Sequence, residues 1–196
     1  MTAGRLTTRP SDWMLRMLPP PRRNIELKAR DLDRGASLKA CLKLGASDHG
    51  MISQRDTYFD SPRGGLKLRE EHPGGAHLIR FLRAEQPQQR ESRYRIAEVI
   101  DAASLVGVLA DAIGIWGTVV KQRHLLLWES VRIHLDEVEG LGSFIELEAV
   151  APAESDLSRE HELVEQVRHA LNITDDRLDA RGYARQLLPA TRPAAQ

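Results

Sequence analysis

"VRIHLDEVEGLGSFIELEAV", residues 131–150, alternates in polarity twice around a glycine turn. Arg132, His134 and Asp136 share one parity, with Val131, Ile133 and Leu135 on the other. After Gly140-Leu141-Gly142, Glu146 and Glu148 oppose Ile145, Leu147 and Ala149. Side chains two apart on a strand share a face, so the stretch reads as a hairpin with one charged and one apolar face.

The same oddity recurs outward along the chain. In "RNIELKAR" (23–30), Asn24, Glu26, Lys28 and Arg30 oppose Ile25, Leu27 and Ala29. Lys67 and Arg69 share a face in "LKLRE" (66–70), and Lys121 and Arg123 share one in the long run 117–130. Further strands are expected at 51–60, 76–83 and 92–100, separated by Pro, Gly and polar turn signals. Helical spacing marks 31–46 with Gly45 as its cap, 101–114 between Asp101 and Gly114, 158–171, and a short last helix at 179–188. About eight strands joined mostly by hairpins predict an α+β fold: an antiparallel sheet that closes or nearly closes into a barrel, with helices packed outside.

The plain alternative is a half-exposed sheet with its polar side in water. Three features of the set weigh against it. The signs are sorted by strand, with carboxylates on some and cations on others. The Thr, Ser and Gln usual on a solvent face are scarce. The helices also need an apolar sheet face to cover. If they cover the outside of a barrel, the charged face points into the bore, and a charged bore is costly unless something charged fills it. Carboxylates Glu26, Asp136, Glu146 and Glu148 suit a hard divalent cation, Mg²⁺ or Mn²⁺. Cations Lys28, Lys67, Arg69, Lys121 and Arg123 suit phosphate oxygens. A metal-bridged polyphosphate satisfies both sets, and phosphoryl or nucleotidyl transfer follows as the chemistry.

Bulk composition bounds the rest. The 196 residues, 41% hydrophobic and 29% charged, suffice for one substantial domain. Lys plus Arg and Asp plus Glu number 28 each, so no global excess of charge argues for a nucleic-acid partner. No apolar run approaches the roughly 20 residues of a membrane span, and the N-terminus lacks a secretory core. The single Cys41 rules out an intrachain disulfide and fits a reducing cytoplasm; its place in an apolar helical pattern reads as buried packing. There is no G-x-x-x-x-G-K-[ST] and no G-x-G-x-x-G. The seven His lack zinc spacing, and His49, His72, His77 and His161 read as surface or loop positions. Residues 1–22 read as an irregular extension ending in a Pro linker, 23–188 as one domain, and 189–196 as a tail.

The motifs "NIELKAR", "RDTYFD", "LKLRE", "VVKQR", "IHLDEVEGLGSFIELEAV" and "GYARQLL", in this order, resemble the CYTH superfamily of triphosphate tunnel metalloenzymes. That superfamily includes class IV adenylyl cyclases and thiamine triphosphatases. The resemblance covers roughly residues 23–188. It implies an eight-stranded antiparallel tunnel in which Glu26, Asp136, Glu146 and Glu148 bind metal and Lys28, Lys67, Arg69, Lys121 and Arg123 bind triphosphate. On the next basic strand Arg80 and Arg83 have opposite parity, and Arg83 is favoured as the inward one. Tyr183 falls where relatives close the tunnel, although a core aromatic is the simpler reading.

One position departs from the pattern. The family's E-x-E-x-K reads Asn24-Ile25-Glu26-Leu27-Lys28 here, which removes one negative charge from the metal side. "SRYRIAEV" and "FIELEAV" resemble the class IV cyclase-like branch. The leading expectation is ATP conversion to cyclic AMP and pyrophosphate. Lys28 would then act as electrostatic stabiliser, or as proton acceptor if neighbouring Lys and Arg lower its pKa. The alternatives are hydrolysis of tripolyphosphate or a nucleoside triphosphate, and a non-catalytic nucleotide- or polyphosphate-binding module, for which Asn24 speaks. No nucleic-acid or membrane partner is expected. A homodimer stays open, without an interface signature.

Overall fold

A computed structural model of the chain describes residues 19–188. Most of the expected extension (1–18) and the whole of the expected tail (189–196) lie outside the described residues. The strands are β1 (Arg22–Arg30), β2 (Ser47–Phe59), β3 (Gly65–His72), β4 (Ala76–Arg83), β5 (Arg90–Val99), β6 (Ile115–Trp128), β7 (Val131–Val138) and β8 (Gly142–Ala151). The helices are α1 (Arg34–Leu44), α2 (Ala102–Ile113), α3 (Ser158–Ala170) and α4 (Tyr183–Leu187), with a 3₁₀ turn at Asp175–Arg177.

The strands close a barrel in the order β1-β5-β4-β3-β2-β6-β7-β8, every neighbouring pair antiparallel. Closure leaves no open sheet edge with a row of unpaired backbone groups. β1 is the closing strand. It pairs with β8 from Arg23 to Arg30, but with β5 only from Arg22 to Glu26. Beyond Glu26 its free side is met by the C-terminal segment, where Ala29 bridges Leu178 and Asp179 N–H donates to the Lys28 carbonyl at 2.9 Å.

The main core lies outside the barrel. Ile25, Leu27 and Ala29 of β1, Val131, Ile133 and Leu135 of β7, and Ile145, Leu147 and Ala149 of β8 pack against Cys41 of α1 and Leu163, Val164 and Val167 of α3. These are the apolar parities of the sequence, so the charged parities face the bore. Asp33 caps α1 by accepting from Ala36 N–H, and Gly45 ends it in the left-handed region at φ 93°. Asp101 caps α2 in the same way. Gly140 and Gly142, at φ 77° and 83°, make the β7–β8 turn that sets the hairpin register. A second apolar cluster around Tyr58, Val119, Phe144 and Tyr183 fills one end of the bore, roofed by α4.

Candidate active site

The bore holds four charge groupings, each set by cross-strand register. On β2 and β3, Asp56 faces Arg69. Arg69 donates to both carboxylate oxygens at 2.7 and 2.8 Å, Lys67 donates at 2.8 Å, and Lys121 Nζ lies 3.9 Å away. On β6 and β7, Arg123 faces Asp136 and donates to it through two nitrogens at 2.7 and 2.6 Å. Arg123 also reaches Glu146 at 2.9 Å, and Tyr183 O–H donates to Asp136 at 3.1 Å. At the β1–β5 seam, Glu26 accepts from Arg83 at 2.9 Å and from Arg90 at 2.7 Å. The fourth grouping is His134, Glu146 and Glu148, whose ligand-capable atoms lie within 4.8 Å of one another.

These environments shift the titrating groups in opposite directions. Burial pushes Asp56 up, but Arg69, Lys67 and Lys121 overcome it and hold the carboxyl well below its usual range. Asp136, likewise opposed by burial, is brought to about 2 by Arg123 and Lys121. Glu146 is held low by Lys121, Arg123 and Lys28 against its burial. Glu148 goes the other way: burial raises it, with Glu146 and Glu26 adding to the rise. Burial, then Arg69, lowers Lys67 to about 7. Burial lowers Lys28 to about 8, although Glu146 pulls it up. Burial and Arg123 hold His134 well below the ordinary imidazole value, so it is neutral.

One cavity touches part of each of the groupings at Asp56, Glu26 and His134. Lys67, Arg69, Arg83 and Lys121 line it together with Glu26, Glu146, Glu148 and Asn24. Ile79 and Phe81 of β4 with Tyr94 and Ile96 of β5 form an apolar strip in the same cavity. Lys28 Nζ is buried without a hydrogen-bond partner and lies 4.6 Å from the Tyr183 ring centroid and 5.6 Å from that of Phe144.

Every residue expected at the site faces this bore, but the expected metal carboxylates do not assemble as one group. Glu146 and Glu148 stand together, and the third donor beside them is His134. Glu26 is engaged by two arginines, and Asp136 by Arg123, Lys121 and Tyr183. Arg123 sits deep in the bore between two carboxylates and does not line the cavity. Arg83, not Arg80, turns inward. Asp56 and Arg90 were not anticipated from sequence, although Asp56 lies in "RDTYFD" on the same parity as Tyr58, a visible signal. Tyr183 is both a core aromatic and a tunnel residue.

The donor set fits a divalent cation. Two carboxylates balance its charge, and His134 Nδ1 is buried with no hydrogen-bond partner, 3.9 Å from Glu148 Oε1.

The CYTH domain model matches residues 22–183. The chain belongs to the CYTH domain family. Solved structures with the same fold include a Pyrococcus horikoshii protein at 21% identity and TM-score 0.73, covering 83% of this chain and 98% of that one. A candidate adenylate cyclase from Vibrio parahaemolyticus is similar at 19% identity and TM-score 0.69, covering 85% and 98%. A candidate adenylyl cyclase from Hippeastrum, described as revealing a dominant triphosphatase activity, is similar at 17% identity and TM-score 0.54, covering 81% and 91%. At these identities the likeness concerns the CYTH fold alone. No curated protein matches the chain. No helix among the described residues is long and apolar enough to cross a membrane.

Proposed function

We propose that this CYTH protein is a divalent-metal-dependent enzyme that cleaves a triphosphate chain in its tunnel, with ATP cyclisation to cyclic AMP and pyrophosphate as the leading reaction. One observation carries the proposal: Lys67, Arg69, Arg83 and Lys121 converge on a single cavity that Glu146 and Glu148 also line. Such a cavity takes an anionic chain together with its counter-cation.

The four cations would hold the phosphate oxygens, and Lys67, only partly protonated near pH 7, would be driven to its charged form by the anion. Glu146 and Glu148 would provide the metal side, while Glu26 and Asp136, each held by arginine, would orient the cations. A Mg²⁺ or Mn²⁺ ion, when bound, neutralises phosphate charge as the bond to the leaving group breaks. Lys28, with a pKa of about 8 and no hydrogen-bond partner, would accept the ribose 3′-hydroxyl proton. The 3′-oxygen then bonds to the α-phosphorus, the α–β bridging bond breaks, and pyrophosphate leaves. The apolar strip of Ile79, Phe81, Tyr94 and Ile96 favours an organic triphosphate over bare tripolyphosphate. Hydrolysis is the second reading, because Lys28, deprotonated above about pH 8, can equally take a proton from water. The one cysteine, Cys41, is buried and free, which suits a cytoplasmic protein.

The test is phosphorus NMR of the protein with ATP, and separately with tripolyphosphate, each with Mg²⁺ and with Mn²⁺. Cyclic AMP with pyrophosphate is the expected result. Orthophosphate release would make the protein a hydrolase. No turnover of either substrate would leave a binding module and overturn the enzyme.

A further inference from the structure

We propose that the metal site of this chain is an imidazole–carboxylate site, His134 with Glu146 and Glu148, and that it selects nitrogen-accepting divalent ions (Zn²⁺, Co²⁺, Mn²⁺) over Mg²⁺. The inference rests on the metal-dependent tunnel proposed above and specifies its ligands and its ion.

The hairpin itself builds the site. His134 and Glu146 are directly opposite on β7 and β8, and Glu148 follows Glu146 on the same face. All three donors therefore sit on one rigid two-stranded element, with no loop to order on binding. His134 is only 4% exposed, and its Nδ1 has no hydrogen-bond partner. An orphaned buried imidazole nitrogen is costly, and a ligand that accepts its lone pair removes the cost. Glu148 turns one oxygen toward His134 at 3.9 Å and the other toward Arg132 at 4.0 Å. Arg123 occupies one oxygen of Glu146, and a carboxylate keeps further lone pairs for a metal.

The remaining inward oxygen donors are less available. Asp136 and Glu26 are neutralised by arginines at hydrogen-bond distance, and Asn24 carries no charge. A site left with two carboxylates and one imidazole departs from the all-oxygen sphere Mg²⁺ prefers, and affinity should rise along the order Mn²⁺, Co²⁺, Zn²⁺.

The experiment uses untagged full-length protein with Mn²⁺ as a spin probe, with and without tripolyphosphate, read by electron spin-echo modulation from ¹⁴N. Calorimetry of Mn²⁺ and Mg²⁺ binding accompanies it. The expected result is ¹⁴N coupling from one imidazole, lost in His134→Gln, where Mn²⁺ affinity falls at least about tenfold, a loss already typical of an outer-shell partner. Mg²⁺ affinity should fall less. Glu148→Gln should weaken Mn²⁺ while keeping the ¹⁴N coupling. If His134→Gln does not fold, the wild-type spectrum still decides, because His134 is the only histidine among the described residues in a group able to hold a metal. Mn²⁺ bound without ¹⁴N coupling would overturn the imidazole site and leave the metal-dependent tunnel standing. Absence of Mn²⁺ binding under both conditions would overturn both.

Discussion

Replacing Lys28 by methionine should stabilise this protein while removing its proposed proton acceptor. Lys28 is 1% exposed, has no hydrogen-bond partner, and has its pKa lowered by burial from 10.5 to about 8. A lowered lysine pKa means that the folded state holds the proton less tightly than the unfolded chain. The cost is fully felt below the folded pKa and disappears above the unfolded one, so this residue's effect on stability improves as pH rises from about 8 to 10.5. At about 1.36 kcal/mol per unit, the cost at pH 7 is about 3 kcal/mol. Methionine matches the length of the side chain and packs well on Phe144 and Tyr183, but the cation–π contacts are lost, at about 1 kcal/mol. The net gain is about 2 kcal/mol at pH 7, falling below about 1 kcal/mol at pH 10. Urea unfolding of both proteins at the two pH values measures it. No gain at pH 7, or a gain that persists unchanged to pH 10, would refute the claim that Lys28 is held at a cost.

Asp56→Asn leaves Lys67, Arg69 and Lys121 without their shared counter-charge and should destabilise the protein by about 3–5 kcal/mol. Tripolyphosphate should restore much of that loss, read as a larger ligand-induced rise in Tm than in wild type. Tyr183→Phe removes the hydroxyl bond to Asp136 but keeps the ring on Phe144, so it should cost about 1–2 kcal/mol by denaturant titration. Asn24→Glu restores a carboxylate beside Glu26 and should tighten divalent binding by calorimetry; gain of turnover in an otherwise inert protein would mark Asn24 as the cause of its inertness.

Alternation made the barrel legible. On β1, β7 and β8 one parity is plainly apolar, and it is the parity that packs under the outer helices, whereas β4 and β5 turn Ile79, Phe81, Tyr94 and Ile96 into the bore. On β4 both parities are apolar, so alternation does not decide between Arg80 and Arg83; Arg83 faces the bore together with Ile79 and Phe81. What alternation does not carry is register. That Arg69 meets Asp56, or Arg123 meets Asp136, depends on how far one strand slides past the next, and no single strand encodes that. The hidden partners are therefore the carboxylates already neutralised within the protein. Asp56 looked like one more polar residue in "RDTYFD", and Asp136 like a free metal ligand. His134 stood on the right face throughout, but its role depends on what Glu26 and Asp136 are bound to. Arg90, at the very start of β5, lies at the strand edge, where alternation is weakest.

The closing strand also has a consequence for how the protein is made. β1 is synthesised first, yet its partner β8 ends at Ala151, and Asp179 bonds back to the Lys28 carbonyl only later. Glu26 can meet Arg90 once β5 is made, but Lys28 gains its neighbours on β8 and at Asp179 only after those later segments have left the ribosome. Pairing across so much of the chain is slow. Until it happens, the apolar side of β1 has only α1, the next element made, to cover it.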